Sequence, residues 1–165
     1  MKNILNIVEY NKATRGIRFL NYIIDLFVLI VINYIITNVF GILYELTSIE
    51  LFYLYNHGGV FWELFIGNFN SLIYYFLMEN YLNGRSVSKY ITGTKVISID
   101  GTKPSTQQIF YRSLSRIVPF DALSFLGMNG WHDSWSETRV VNIKNYETER
   151  QAKSEIDSLG KKEIA

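Results

Sequence analysis

The sequence predicts an all-α membrane protein: a two-span helical hairpin that carries a small cytosolic β element, with a third short or re-entrant helix as an open alternative. Three observations support this fold class. No lysine or arginine occurs between Phe19 and Gly84, although the chain has sixteen basic residues. That stretch contains two long apolar runs joined by a polar connection, and basic residues are frequent on both sides of it. Basic residues favour the cytoplasmic side of a membrane, so both termini are expected inside.

The two apolar runs are Phe19–Leu43 and Val60–Leu82. At ~1.5 Å of rise per residue, about twenty helical residues cross a hydrocarbon core of roughly 30 Å, so each run is long enough to span. Peptide groups in lipid must be hydrogen-bonded within their own segment, which favours helices. A soluble domain with apolar core helices is the alternative, but such a domain would rarely avoid basic residues for so long.

The charge pattern divides the chain into four parts. Residues 1–18 form a cytosolic N-terminal segment, and residues 19–84 form the transmembrane hairpin, whose connection at 44–59 faces outward. Residues 85–144 form a cytosolic loop with strands and an interfacial or re-entrant segment. Residues 145–165 are densely charged and predict a solvated helix or a disordered tail. The expected location is the cytoplasmic (inner) membrane, with several passes.

Two short β-prone runs lie in the third part. Thr94–Ile99 alternates in strand fashion and leads into a turn signal, and Thr138–Ile143 could pair with it. Between them, Gln107–Trp131 is apolar but contains Arg112 and Arg116. Because each arginine near a bilayer centre costs ~2.5 to 3.5 kcal/mol, an interfacial or re-entrant segment is favoured, and a third crossing remains the competitor.

Polar residues within the hairpin are the candidate functional group. Arg18, Asn21 and Asp25 lie at i, i+3 and i+7, so they share one helix face. Glu79 lies at the matching depth of the second helix. Ionisable groups in such positions usually pair, and we expect Arg18 to neutralise Asp25, Glu79 or both. The cluster is either a structural clamp or a site where a carboxylate exchanges its partner for a proton or a monovalent cation.

Several function classes are disfavoured. The chain has no cysteine, which excludes disulfides, thiolate metal ligation and cysteine catalysis. His132 and Asp133 form neither a hydrolase motif nor a metal site, and no phosphate-binding glycine motif occurs. The net charge of +1 gives no case for nucleic acid. The sequence therefore predicts a protein that is not an enzyme and needs no metal or cofactor.

Between about Arg15 and Val141 the chain contains, in this order, Arg18 followed by Asp25, Glu79 with Asn83–Ser105, and Trp131–Val141. In these motifs it resembles the RDD family of small bacterial membrane proteins. Arg18 followed by Asp25 is similar to the opening motif. Glu79 with Asn83–Ser105 is similar to the loop motif, and Trp131–Val141 to the closing motif. Ser88 stands where that loop usually has glycine. The polar residues that the later motifs supply are Lys89, Arg112, Arg116, Asp133 and Thr138.

The resemblance implies an integral membrane protein, for which two functions are considered. Transport-related roles, including sodium or proton exchange, have been proposed in the family. In that hypothesis the protein acts as an oligomer, Arg18 and Asp25 form a gating pair, and Glu79 is the exchangeable carboxylate. Distant eukaryotic relatives look like scaffolds, so the alternative is a non-catalytic adaptor that gathers partner proteins. The expected partners are the lipid bilayer, further copies or other membrane proteins, and a monovalent cation or proton.

Overall fold

A computed structural model describes residues 6–117 and 131–163. Within these ranges most of the chain is helical, and two short strands form one sheet. The helices are α1 (Asn6–Tyr10), α2 (Arg15–Thr47), α3 (Glu50–His57), α4 (Val60–Tyr81), α5 (Val87–Thr92), α6 (Thr106–Ser115), α7 (Trp131–Trp135) and α8 (Ile143–Glu163), and the strands are β1 (Thr94–Ser98) and β2 (Thr138–Asn142).

Helix α2 is the longest element, with 33 residues. The Thr14 hydroxyl caps its start by accepting a hydrogen bond from the Ile17 N–H, and the helix ends at Ser48, whose φ of 54° is left-handed. At ~1.5 Å per residue it is about 50 Å long, more than a hydrocarbon core requires. The mean hydropathy of its most apolar window is 2.4. Among the described helices, α2 is the one that meets the usual criteria of length and hydropathy for a membrane span. Helix α4 has 22 residues, which is also long enough, but it carries Glu63 and Glu79.

Helix α4 lies antiparallel to α2. The Tyr74 hydroxyl donates to Asp25, and the Asn70 amide donates to Asn33 at 2.6 Å. The contacts therefore run in opposite directions along the two helices, which defines a helical hairpin. The connection contains α3, whose Tyr55 accepts a hydrogen bond from Asn70 at 3.0 Å. The sequence pattern did not predict this helix.

The sheet is antiparallel, and the two β-prone runs of the sequence form its strands. Its register pairs Thr94 with Asn142 and Ser98 with Thr138. The N-terminal segment packs on the sheet, since Val8 belongs to a small core with Ile97, Val141 and Tyr146. Helix α8 follows β2 directly, so the first residues of the tail are a helix docked on the sheet.

A tight turn at the end of α4 contacts strand β1. The Gly84 N–H donates to the Glu79 carbonyl at 2.7 Å, and the Val96 N–H donates to the Gly84 carbonyl at 2.8 Å. Gly84 has a φ of +81°, and a Cβ placed there would be 2.5 Å from the Val96 carbonyl oxygen. Glycine is therefore required on both counts. This turn holds β1 against the end of the hairpin.

The predicted interfacial or re-entrant segment is only partly described. Helix α6 covers its beginning, starting with Ser105 as the N-cap in a complete capping box. The continuation, residues 118–130, lies outside the described residues. The alternative of a third crossing falls on these same residues.

Candidate functional site

The structure brings all eight predicted site residues into one buried region where α2 and α4 meet α5, α6, α7 and β2. We call this region the charge network. Its members are Arg18, Asp25, Glu79, Lys89, Arg112, Arg116, Asp133 and Thr138, and the side chains of all but Arg18 and Arg116 are almost completely buried. These residues are spread over the sequence from position 18 to position 138, so the site exists only in the folded protein.

Glu79 is surrounded by three cationic groups. Its carboxylate accepts hydrogen bonds from Lys89 Nζ at 3.1 Å, Arg112 Nε at 3.1 Å and Arg116 Nη2 at 3.2 Å. The Arg116 guanidinium also lies over the ring of Tyr75, 3.8 Å from its centre, which is a favourable cation–π distance. With three cations on one carboxylate, Glu79 has the contacts of a structural anchor.

Asp133 is the carboxylate that binds Arg18. Arg18 Nη2 donates to one carboxylate oxygen, and Arg112 Nη1 donates to the other. Burial alone would raise the pKa of Asp133, but Arg112, His132 and Arg18 together lower it well below its usual range. Arg112 therefore bridges two carboxylates, because its Nε binds Glu79 while its Nη1 binds Asp133.

The prediction that Arg18 neutralises Asp25 or Glu79 was wrong. Arg18 lies in the first turn of α2, where α7 packs, and Asp133 of α7 meets it there. Asp25 lies seven residues farther along α2, which is about 10 Å along the helix axis. The expected gating pair of Arg18 and Asp25 is thus not formed. Sequence spacing placed both residues on one face, but it could not show which distant element would cover each turn of that face.

Asp25 is instead held by neutral donors. One carboxylate oxygen accepts from the Tyr74 hydroxyl at 2.9 Å and from the Ser88 N–H at 3.1 Å. The other accepts from the Ser86 and Ser88 hydroxyls, each at 2.7 Å. Ser88 thus binds Asp25 through both its backbone N–H and its hydroxyl. Within the described part of the chain, Asp25 makes no ion pair.

Serine and threonine hydroxyls connect these centres. Lys89 Nζ donates to Ser86 Oγ at 3.1 Å, which links Glu79 to the Asp25 group. Burial lowers the pKa of Lys89, and the neighbouring Glu79 offsets part of that effect. At the other end Arg112 Nη1 donates to Thr138 Oγ1 at 3.0 Å. The network is therefore continuous from α2 to β2.

Sequence analysis missed the neutral members of the site. Tyr74 stood in an apolar run, and Ser86 stood in the loop motif without an assigned role. A tyrosine in an apolar run has no distinctive pattern, because its ring is apolar and only the hydroxyl at its tip requires a partner. The one available signal was the alternation of Ser86 and Ser88 around Val87, immediately before Lys89.

Charge pairs dominate the network, with Glu79 and Asp133 as its anionic centres. Across residues 6–117 and 131–163, no three histidine or carboxylate side chains are grouped in a way that could hold a metal ion. The Asp25 group differs from the rest because the side chains that bind this carboxylate do so through hydroxyls.

Comparison with known proteins identifies one family. The model of the RDD family matches residues 12–140 of this chain. Neither the curated proteins nor the solved structures include a significant match. The matched segment begins just before α2 and ends within β2, so it contains the whole charge network. The match covers most of the chain, and together with the apolar helix α2 it establishes that this chain is a membrane protein of the RDD family.

Proposed function

We propose that both α2 and α4 cross the cytoplasmic membrane, with the two termini in the cytoplasm. Both helices carry large apolar side chains on their outer surfaces: Phe27 of α2 is 66% exposed, and Phe61 of α4 is 90% exposed. Long rows of such side chains suit lipid and not water. Because the basic residues lie outside the hairpin, the charge network belongs at the cytoplasmic end.

We infer further that the protein, acting as an oligomer without enzymatic activity, moves a proton or a monovalent cation, and that Asp25 is the exchanging carboxylate. One observation carries this proposal: Asp25 is a buried carboxylate whose described partners are all neutral donors. Glu79, the earlier candidate, is bound by three cations and would have to displace them. Intramembrane carboxylates commonly mark ion or proton pathways.

The hydroxyls around Asp25 suit such an exchange. A hydroxyl both donates and accepts, so the Tyr74, Ser86 and Ser88 groups can turn from donating to the carboxylate to offering lone pairs to a cation. Hard cations prefer oxygen ligands, and this group supplies the carboxylate and three hydroxyl oxygens. A single hairpin cannot enclose a path, which is why an oligomer is part of the proposal.

The test is ion flux into proteoliposomes between pH 6 and pH 9. Asp25→Asn keeps the shape of the side chain but removes its charge, and it should abolish sodium or proton movement. The matched control is Glu63→Gln, the same chemical change at the far end of the hairpin, which should retain the flux. The transport proposal is refuted if the unaltered protein moves neither ion, or if Asp25→Asn moves ions at the normal rate.

A scaffold is the second candidate, and the form of α8 favours it. This charged helix of 21 residues leaves the sheet and is exposed over most of its described length. Near its start the Tyr146 hydroxyl donates to the Gly101 carbonyl at 2.9 Å, and Asn11 donates to Glu149. Removing residues 151–165 therefore spares both contacts. If the protein is an adaptor, this truncation abolishes partner capture from membranes, whereas Asp25→Asn does not.

A further inference from the structure

Helix α6 shows the opposite burial pattern from an amphipathic helix in water. Its buried face is mainly polar: Arg112 and Ser113 have no exposed surface, and Ser115 and one apolar residue, Ile109, are buried beside them. Its outer face consists of Phe110, Tyr111 and Leu114, which are 42%, 59% and 37% exposed. A helix on a water-soluble protein turns its apolar stripe inward and its charges outward. The environment outside α6 is therefore expected to be apolar.

Helix α6 follows α4 toward the middle of the hairpin. Three side-chain pairs join the two helices in opposite chain order: the hydroxyl of Thr106 donates to Asn80 at 3.2 Å, the ring of Phe110 meets that of Phe76 edge to face at 5.9 Å, and Arg116 lies over the ring of Tyr75 at 3.8 Å. Between Asn80 and Tyr75, α4 advances by about 7.5 Å. The C-terminal end of α6 is deeper along α4 by about this distance.

We propose that the outer face of α6, formed by Phe110, Tyr111 and Leu114, lies against phospholipid acyl chains of the inner leaflet. This inference rests on the proposed crossing of the membrane by α4. The outer face of α6 is continuous with the lipid-facing side of α4 through the Phe110–Phe76 contact.

The boundary between lipid and water can be located on α6. Gln107, one turn before Tyr111 on the same face, is polar and exposed. Tyr111 also borders an open groove of about 400 Å³ whose other lining residues include Asp100 and Lys103. Its ring therefore has an apolar side and a wet side, which is the usual position of tyrosine at a membrane surface.

This arrangement explains how two arginines can lie in a segment that contacts lipid. Arg112 points inward to Glu79 and Asp133, and Arg116 points inward to Glu79. An arginine without a partner requires water, which is why the two arginines favoured a shallow segment when only the sequence was considered. Because the protein itself supplies their partners, the helix can turn its apolar side chains to the acyl chains instead.

Spin labels can test this contact, since the chain has no native cysteine. Single cysteines at Leu114 and Tyr111 are labelled with a nitroxide in liposomes, and collision rates with oxygen and with a water-soluble nickel chelate are measured. Phe27→Cys is the reference for the membrane span, and Lys153→Cys is the reference for water. We expect Leu114→Cys and Tyr111→Cys to favour oxygen several-fold over Lys153→Cys, with the label at Leu114 deeper than that at Tyr111.

Three results would overturn the inference. If both α6 labels resemble Lys153→Cys while Phe27→Cys reports lipid, α6 faces water and only this inference fails. If Phe27→Cys also reports water, the proposed membrane span fails as well. If the α6 labels avoid both reagents and show spin–spin broadening that disappears on dilution with unlabelled protein, a second copy of the chain covers this face in place of lipid.

Discussion

Arg112 is the residue whose removal should disturb the fold most. Its buried guanidinium makes two charge-assisted hydrogen bonds, one to Glu79 and one to Asp133, and a third bond to the Thr138 hydroxyl. Arg112→Met keeps a long unbranched side chain but removes all three. The substitution leaves the two carboxylates buried with fewer partners, while the Thr138 hydroxyl retains its contact with Ser136.

The expected cost follows from these contacts. Each hydrogen bond to a charged group contributes about 1.5–3 kcal/mol, so the two bonds together contribute about 3–6 kcal/mol. Removing one partner of a buried ion pair costs about 3–5 kcal/mol. Glu79 keeps Lys89 and Arg116, and Asp133 keeps Arg18, which limits the loss. We therefore expect Arg112→Met to lower the free energy of unfolding by about 3–4 kcal/mol.

Equilibrium unfolding in mixed detergent micelles, followed by circular dichroism, measures this loss. Arg150→Met is the matched control, because Arg150 is exposed on α8, and its effect should stay within about 0.5 kcal/mol. Combining Arg112→Met with Asp133→Asn removes one stranded charge, so the double variant should be at least ~1 kcal/mol more stable than the sum of the single effects predicts. A loss below about 1 kcal/mol for Arg112→Met, or strict additivity in the double variant, would refute the bridging role.

Three further predictions concern acid, a turn and a cap. The pKa of Asp133 in the folded protein is below its ordinary value of 3.8, so on acidification the unfolded chain takes up this proton before the folded protein does. The contribution of Asp133 to the free energy of unfolding is therefore complete above about pH 4 and is lost below it. When unfolding midpoints are measured from pH 7 to pH 2, the fall should be shallower in Asp133→Asn. Gly84→Ala, whose Cβ would meet the Val96 carbonyl, should cost about 1–3 kcal/mol in the same unfolding assay, whereas Gly67→Ala, with open space around it, should be neutral or slightly stabilising. Ser105→Ala removes the capping box of α6 and should cost about 1 kcal/mol, and an unchanged stability would contradict the cap.

The sequence predicted the helices and strands that depend on local pattern. The apolar runs 19–43 and 60–82 correspond to α2 and α4, and the alternating runs after residues 93 and 137 correspond to the two strands. Apolar length and alternation are properties of neighbouring residues, so they can be recognised without knowledge of the fold. Helix α3 was missed because its aromatic and polar residues fit an outward connection equally well.

The partners within the charge network could not be predicted in the same way. Arg18 and Asp25 are close in sequence and share a helix face, which suggested a pair. The actual partner of Arg18 is 115 residues away, and only the family resemblance had indicated that Asp133 was important. Spacing along one helix defines which side chains share a face, whereas the choice of partner depends on which distant element packs there.

The charge network also has a consequence for the order in which the protein assembles. Glu79 is synthesised before Lys89, Arg112 and Arg116, and Arg18 leaves the ribosome 115 residues ahead of Asp133. Chains fold from the N-terminus as they emerge, so in the proposed topology the hairpin meets the bilayer before its buried charges have their final counterparts. Water or lipid headgroups must solvate these charges until the later helices are made. In that topology, the residues that neutralise Glu79 and Arg18 complete the membrane part of the protein only after the hairpin has been synthesised.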